Sequence, residues 1–435
     1  MYRPSVAETT VALLQHGECL KSYILKTLDI VSNNKATARG FVQLSLLRVG
    51  QLLLGLLSTY FIAHSLTVAQ YGEYQLILSV IAFLTVFSLT EFPNTLIQSI
   101  ARGFHGSFRK ITPYPFFASL LGSLVLTGFA VWHGFKDGHE TLMVCFIVAA
   151  VFFPCMHGLT IWRGYLIGEQ KFSLFSKVET IGLLVTQGGM ITLALLFQGQ
   201  YTELLIWFCA VSAIINIVMT MYVHRQVPKE TVAEEKVIES GVKTSLYNVI
   251  FIMSNYTDRL LLFYFLSPVA LALFVAADRI PDLLRSPLQD MATALAPKFA
   301  KTEYYSERLD CYFKVFCLAF GALLLFLAFT IIPYLLTTIY GDSYAEAVPY
   351  TQALILAGAI GNLSSLQLRY IRSKLETKHF RNIIYVTSFM RLLISAALIP
   401  TLGIKGAVIS VLLYRIVLSV TTNHIIHKHY KAEAV

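Results

Sequence analysis

Residues 241–300, GVKTSLYNVIFIMSNYTDRLLLFYFLSPVALALFVAADRIPDLLRSPLQDMATALAPKFA, hold two apolar runs separated by Ser267 and Pro268. Each run has the length a bilayer crossing requires, about 20 residues. Each also carries an acid beside a base, Asp258 with Arg259 and Asp278 with Arg279. A charge near the bilayer centre costs about 3 kcal/mol on insertion scales, so these side chains are expected to face protein or a wet cavity. Two crossing helices with costly charges predict an all-α, polytopic membrane protein organised around a polar interior.

The rest of the chain agrees. Of its 435 residues 56% are apolar and only 14% charged, whereas soluble domains carry about 25% charged residues. The net charge of +9 does not indicate nucleic acid, because the basic residues fall in short clusters between apolar runs, the pattern of cytoplasmic loops. The cysteines Cys19, Cys145, Cys155, Cys209, Cys311 and Cys317 form no CxxC pair or metal-ligand spacing and read as small core residues. No cofactor or metal is expected. His424, His427 and His429 lie beside Lys428 and Lys431 and read as a basic tail rather than a metal site.

Twelve apolar runs can be traced. Six are Phe41–Ala63, Tyr74–Ile100, Thr112–Trp132, Thr141–Ile161, Val178–Gln198 and Glu203–Val223; six more are Lys243–Leu266, Val269–Ala296, Cys311–Tyr334, Val348–Gln367, Ile383–Pro400 and Ile404–Asn423. The expected organisation is an N-terminal arm at 1–39, a six-helix bundle at 40–223, a linker at 224–242, a second bundle at 243–424 and a tail at 425–435. In the arm, Leu13, Leu20, Ile24, Leu28 and Val31 fall at helical spacing; an interfacial helix and a disordered arm both remain open. No cleavable signal peptide is expected, since the first long run begins only at Phe41 and has the length of a span.

Alternate connections carry Arg102, Arg109, Lys110; Arg163, Lys171, Lys177; Arg225, Lys229, Lys236; Lys298, Lys301, Arg308; and Arg369, Arg372, Lys374, Lys378, Arg381, against only Lys136 and Lys405 on the other set. The positive-inside rule puts the first set, and both termini, in the cytoplasm. The outer connections are short and carry no metal-binding carboxylate cluster, which leaves little room for an enzyme such as a membrane polymerase or ligase.

The halves resemble each other. Tyr60-Phe61-Ile62 with Ala69-Gln70-Tyr71 matches Tyr264-Phe265-Leu266 with Ala272-Leu273-Phe274, and RGYLIGEQKF at 163–172 matches RYIRSKLETKHF at 369–380. Both offsets are close to 205. Parallel repeats related by an axis along the membrane normal follow, with a central cavity between two bundles.

Polar faces locate that cavity. Arg48, Gln51, Gly55 and Ser58 recur on the first helix; Ser245, Asn248, Asn255, Asp258 and Arg259 on the seventh; Asp278, Asp282, Arg285 and Gln289 on the eighth, beside Arg279. Pro281 and Pro287 are expected to kink the eighth. Glu91, Arg391 and Arg415 are further charges at membrane depth. Two readings stand side by side. The charges form ion pairs that only hold helices together, or they bind. Arginine's planar fork holds phosphate and keeps its proton, so Arg48, Gln51, Asn255, Arg259, Arg279 and Arg391 are the candidate substrate-binding residues, with the arginines aimed at a diphosphate. Asp258, Asp278 and Glu91 are the candidates for coupling a proton or sodium ion.

With these residues in view, the chain resembles the polysaccharide (O-antigen unit, Wzx-like) flippases of the multidrug/oligosaccharidyl-lipid/polysaccharide exporter superfamily. The resemblance is carried by AQYGEYQLILSVIAFLTVFSL at 69–89, GYLIGEQKFSLFSKVETIG at 164–182, SNYTDRLLLFYFLSPVALALFVAADRI at 254–280, ALAPKFA at 294–300, YGDSYAEAVPY at 340–350 and LGIKGAVIS at 402–410. It implies a non-enzymatic flippase that moves an undecaprenyl-diphosphate-linked oligosaccharide across a bacterial inner membrane by alternating access, in O-antigen and lipopolysaccharide biosynthesis. It also implies membrane lipid, a polysaccharide polymerase and a chain-length regulator as partners, and cavity cations Arg48, Arg259 and Arg279 that hold the diphosphate. After Leu89 similar proteins usually turn on a glycine, where this chain has Thr90-Glu91-Phe92-Pro93. The alternatives are a cation-coupled drug exporter of the same superfamily, a polymerase or ligase, and a membrane scaffold.

Overall fold

The computed structural model describes residues 35–135, 138–228, 231–301, 305, 307–373 and 377–429. Within those helices the side chains of 35–49, 287, 289–298, 300–301, 307–309 and 377–378 lie outside the description, as do residues 1–34 of the arm and 430–435 of the tail.

Among the described residues the helices line up as twelve rods. The first six are α1 (Lys35–Ser65), α2 (Val68–Leu84, resumed at Phe92–Ala101), α3 (Pro113–Phe135), α4 (Glu140–Phe153, resumed at Trp162–Gly168), α5 (Phe172–Leu196) and α6 (Tyr201–Gln226). The second six are α7 (Val237–Phe265), α8 (Pro268–Lys301), α9 (Glu307–Thr330, resumed at Ile332–Tyr340), α10 (Val348–Ser373), α11 (Thr377–Leu402) and α12 (Ile404–His429). They follow the apolar runs, with most ends reaching past them; α5 starts at Phe172 rather than Val178. Among the described residues eight stretches are long and apolar enough to cross a membrane, and α1, α7, α8 and α10 are not among them. Three of those four are the helices whose polar faces predicted a cavity.

The duplication is visible in the packing. In the first lobe α1 packs on α5, α2 and α3 on α4, and α6 on both α4 and α5; in the second, α7 packs on α11, α8 and α9 on α10, and α12 on both α10 and α11. Every pair in one half has its counterpart six helices later, as parallel repeats require. The tight turns between α1 and α2 and between α7 and α8 are also equivalent. Thr67 Oγ1 accepts from the Gln70 N–H (3.3 Å) and Ser267 Oγ accepts from the Ala270 N–H (3.2 Å), so each lobe starts its second helix with a hydroxyl cap.

The lobes meet along α2, which packs against both α7 and α8. At the end away from the basic connections, Gly72 of α2 lies so close to the Pro268 carbonyl of α8 that a Cβ there would overlap it. Tyr71 sits there with Tyr340 and Tyr344, at ring-centroid distances of 6.0 Å to each. At the basic end the connection between α6 and α7 is tied to the first lobe: Arg102 pairs with Glu234 (2.9 Å), and Arg109 donates to the carbonyls of His224 and Val227 (2.6 Å each).

Three rods are broken where sequence showed continuous spans; α9 is interrupted only at Ile331. In α2, residues Thr85–Ser88 tighten into a 3₁₀ turn and Leu89 is left-handed (φ 51°, ψ 59°) before the helix restarts at Phe92. In α4, Pro154–Gly158 widen into a π-helical turn. Helix α8, by contrast, runs unbroken through Pro281 and Pro287.

Candidate functional site

Between the lobes lies a cavity of about 490 Å³. From the first lobe it is lined by Gly55, Ser58 and Thr59 of α1, by Tyr71, Tyr74, Gln75, Leu78, Ile81 and Ala82 of α2 with Thr85 beyond its first segment, and by His157, Gln187, Met190 and Phe208. From the second it is lined by Tyr256 and Arg259 of α7, Val275, Arg279 and Asp282 of α8, and Tyr340.

The polar face of α7 divides along its length. At the basic end Ser245 Oγ accepts from the Glu91 N–H (3.2 Å) and Asn248 Nδ2 donates to Glu91 Oε1 (3.2 Å). One turn and more further on, Asn255 and Asp258 turn away from the cavity toward α11. There Arg391 donates to Asp258 Oδ2 from Nε (3.2 Å) and NH2 (2.7 Å) and to Asn255 Oδ1 from NH1 (2.9 Å). The Asp258 side chain is 1% exposed. Arg391 also lies over the Tyr414 ring at 5.2 Å. Successive helical residues point about 100° apart, so Arg259, next to Asp258, faces the cavity instead, its guanidinium 5.6 Å from the Tyr256 ring centre.

Within the second lobe Arg259 reaches Asp278 Oδ2 at 3.3 Å, and Arg285 holds Asp282 at 2.6 Å. Arg279 is exposed to the cavity and, among the described residues, makes no hydrogen bond or ion pair. Its NH2 lies 3.5 Å from where a Cβ on Gly55 would stand, so the guanidinium extends from the second lobe to the first. With two aspartates offset by Arg259 and Arg285, Arg279 is the uncompensated charge of the wall. Two further arginines rest in the second lobe: Arg285 lies along Gly358 and Arg415 along Gly361, where a Cβ would stand 3.1 Å and 2.8 Å from their Cδ atoms.

Glu91 stands at the restart of α2. Asn94 Nδ2 donates to Oε2 (2.9 Å) and Asn248 to Oε1, so amides from both lobes hold the carboxylate, and among the described residues no cation pairs with it.

The site residues expected from sequence therefore separate. Arg259, Arg279, Gly55, Ser58 and Asp282 come together at the cavity; Asn255, Asp258 and Arg391 come together inside the second lobe; Asp278 supports Arg259; and Glu91 stands at the seam between lobes. Gln51 is exposed and does not line the cavity, while the side chains of Arg48 and Gln289 lie outside the described residues. The cavity adds Gln75, His157 and Gln187, polar residues in runs whose pattern gave no sign that they face a cavity. At the end of α12, His429 stacks on His379 at 4.4 Å.

Residues 61–349 match the family described as "Polysaccharide biosynthesis protein". No curated protein matches the chain. Among solved structures, the inward-facing conformation of a multidrug resistance MATE family transporter of the MOP superfamily is similar at 14% identity, with 89% of this chain and 98% of that chain covered and a TM-score of 0.65. The outward-facing conformation of such a transporter gives 0.59 at 14% identity over 90% and 96%. A MOP superfamily transporter from Pyrococcus furiosus, described as having a binding pocket of reversed polarity, gives 0.58 at 15% identity over 89% and 94%. At these identities the likeness is one of fold.

Proposed function

Because the chain belongs to the polysaccharide biosynthesis protein family and has the two-lobe fold of MOP-superfamily transporters, we propose that it is a flippase that carries an undecaprenyl-diphosphate-linked oligosaccharide, such as an O-antigen unit, from the inner to the outer leaflet of a bacterial cytoplasmic membrane. Both termini are then cytoplasmic, and a polymerase with its chain-length regulator receives the product outside. The observation that carries the reading is Arg279, a cavity-lining guanidinium that makes no ion pair among the described residues, with Arg259 lining the same cavity. A permanent, forked cation suits a diphosphate and repels the cationic drugs of the alternative exporter. No covalent chemistry is required of the protein: the lobes rock and the headgroup changes sides.

Of the three acids read as coupling candidates, Asp258 and Asp278 are engaged by arginines, whereas Glu91 is held by amides alone. Glu91, bridging the lobes, is the acid we assign to gradient coupling.

The test is transport in liposomes loaded with fluorescent undecaprenyl-diphosphate oligosaccharide, read as its exposure to an enzyme on the opposite face. Each lost charge-assisted hydrogen bond removes about 1.5–3 kcal/mol, so Arg279→Ala and Arg259→Ala should each lower transport at limiting substrate by roughly ten- to a hundredfold. Glu91→Gln should abolish the response to a proton or sodium gradient while leaving exchange without one. Full transport by the Arg259→Ala/Arg279→Ala variant would remove the headgroup role of the cavity; no transport by wild type under any gradient would remove the flippase reading.

A further inference from the structure

The two walls of the cavity differ in chemistry. Among the described residues every charged side chain that lines it, Arg259, Arg279 and Asp282, comes from the second lobe. Among the described residues the first-lobe wall has none: it offers Gln75, His157 and Gln187, with Tyr74 and Phe208 in the same lining. We infer that the lobes divide the ligand, the second gripping the diphosphate and the first reading the sugar next to it, with His157 and Gln187 as the specificity-determining residues. This rests on the flippase reading above.

The first-lobe wall is built for contact with a neutral polar ligand. His157 Nε2 is buried and has no hydrogen-bond partner, and Gln187 makes no hydrogen bond among the described residues. An amide carries two donors and an acceptor, and an imidazole one of each, which matches sugar hydroxyls that both donate and accept. Rings in the same lining suit the apolar C–H faces of a pyranose, in the usual pocket arrangement of apolar walls with a few placed polar groups. His157 is placed there by the π-helical turn at Pro154–Gly158, a distortion that tends to occur at functional sites. That turn is secured from α6: Asn216 Nδ2 donates to the Met156 carbonyl (2.8 Å), Thr220 Oγ1 donates to the Leu159 carbonyl (2.9 Å), and Trp162 Nε1 donates to Asn216 Oδ1 (2.9 Å). Three side-chain hydrogen bonds thus hold a break in α4 whose product is one imidazole in the cavity wall.

A site built to hydrogen-bond hydroxyls discriminates strongly against a ligand that lacks them. The experiment measures binding of two lipids to the purified full chain in nanodiscs: undecaprenyl diphosphate without sugar, and undecaprenyl-diphosphate oligosaccharide extracted from membranes of the organism that makes the protein. Wild type should bind the sugar-bearing lipid at least tenfold more tightly. Gln187→Leu and His157→Leu should each cut that ratio about tenfold, whereas Arg279→Ala weakens both lipids together and leaves the ratio unchanged. Gln187→Leu keeps the test valid if His157→Leu fails to fold. Equal affinity of the two lipids for wild type, or a ratio that survives Gln187→Leu, overturns the division of the walls and leaves the flippase reading standing. Binding of neither lipid overturns the flippase reading, and this inference with it.

Discussion

Asp258 and Arg259 are neighbours in sequence and do unrelated things. The 100° step of a helix sends the carboxylate into the second lobe, where it meets Arg391 of α11, and the guanidinium into the cavity, where it meets Asp278. Both neighbours thus enter ion pairs, Asp258 inside the second lobe and Arg259 at the cavity wall. Sequence placed the charges at membrane depth but not their directions, because α7 packs a different partner at each turn. Removing one member of a buried pair strands the other, at about 3–5 kcal/mol. Arg391→Ala should therefore lower stability by about that amount, read as the unfolding midpoint in detergent, and Asp258→Leu/Arg391→Leu should recover most of it. Arg279→Ala, which breaks no pair, should change stability by less than about 0.5 kcal/mol. An Arg391→Ala protein as stable as wild type would return Asp258 and Arg391 to the list of free binding groups.

At the scale of elements, the informative features are the breaks in α2 and α4, and neither was legible as a break. Pro93 and Pro154 lie at these breaks, but proline is ordinary in membrane helices and gave no signal. The turn in α2 falls on Leu89, a residue that gives no hint of a left-handed conformation. Where similar proteins place glycine just beyond, this chain accepts a Cβ in a conformation that costs about 1–2 kcal/mol, and holds it with the Phe92 N–H to Leu89 carbonyl bond (3.1 Å) and the Ser245 and Asn248 contacts to Glu91. Leu89→Gly should therefore be close to neutral, because the strain it relieves offsets the partly buried side chain it removes. Leu76→Gly, in the regular first segment and fully buried, should cost more than about 3 kcal/mol. Unfolding midpoints measured side by side decide it; equal losses at both positions would mean that the Leu89 backbone stores no strain. The first segment of α2 packs against both α7 and α8, and beyond the break the second continues along α7.

For the whole molecule, sequence carried the twelve runs and the duplication, since both depend on local hydropathy and on short motifs such as those around Thr67 and Ser267. How the lobes touch at the end away from the basic connections was not legible there, because that contact joins residues almost 200 positions apart, such as Gly72 with Pro268, and three tyrosines with no common motif. At that end α2 and α8 touch backbone to backbone, and a carbonyl cannot yield as a flexible side chain can. Gly72→Val must then push the two helices, and with them the two lobes, apart at the end where Tyr71, Tyr340 and Tyr344 meet. Under the proposed rocking of the lobes this contact must break in turn, so the substitution should shift the population toward the state open at this end. A cysteine at Tyr344, in a background without the native cysteines, reports the change through labelling by a membrane-impermeant maleimide added on that side. Labelling should rise severalfold in Tyr344→Cys/Gly72→Val over Tyr344→Cys alone. It should not change with Gly188→Val, where nothing lies within 4 Å of an added Cβ. Labelling that is indifferent to Gly72→Val would place the contact that opens in the tyrosines alone and leave the helix contact as packing that persists through the cycle.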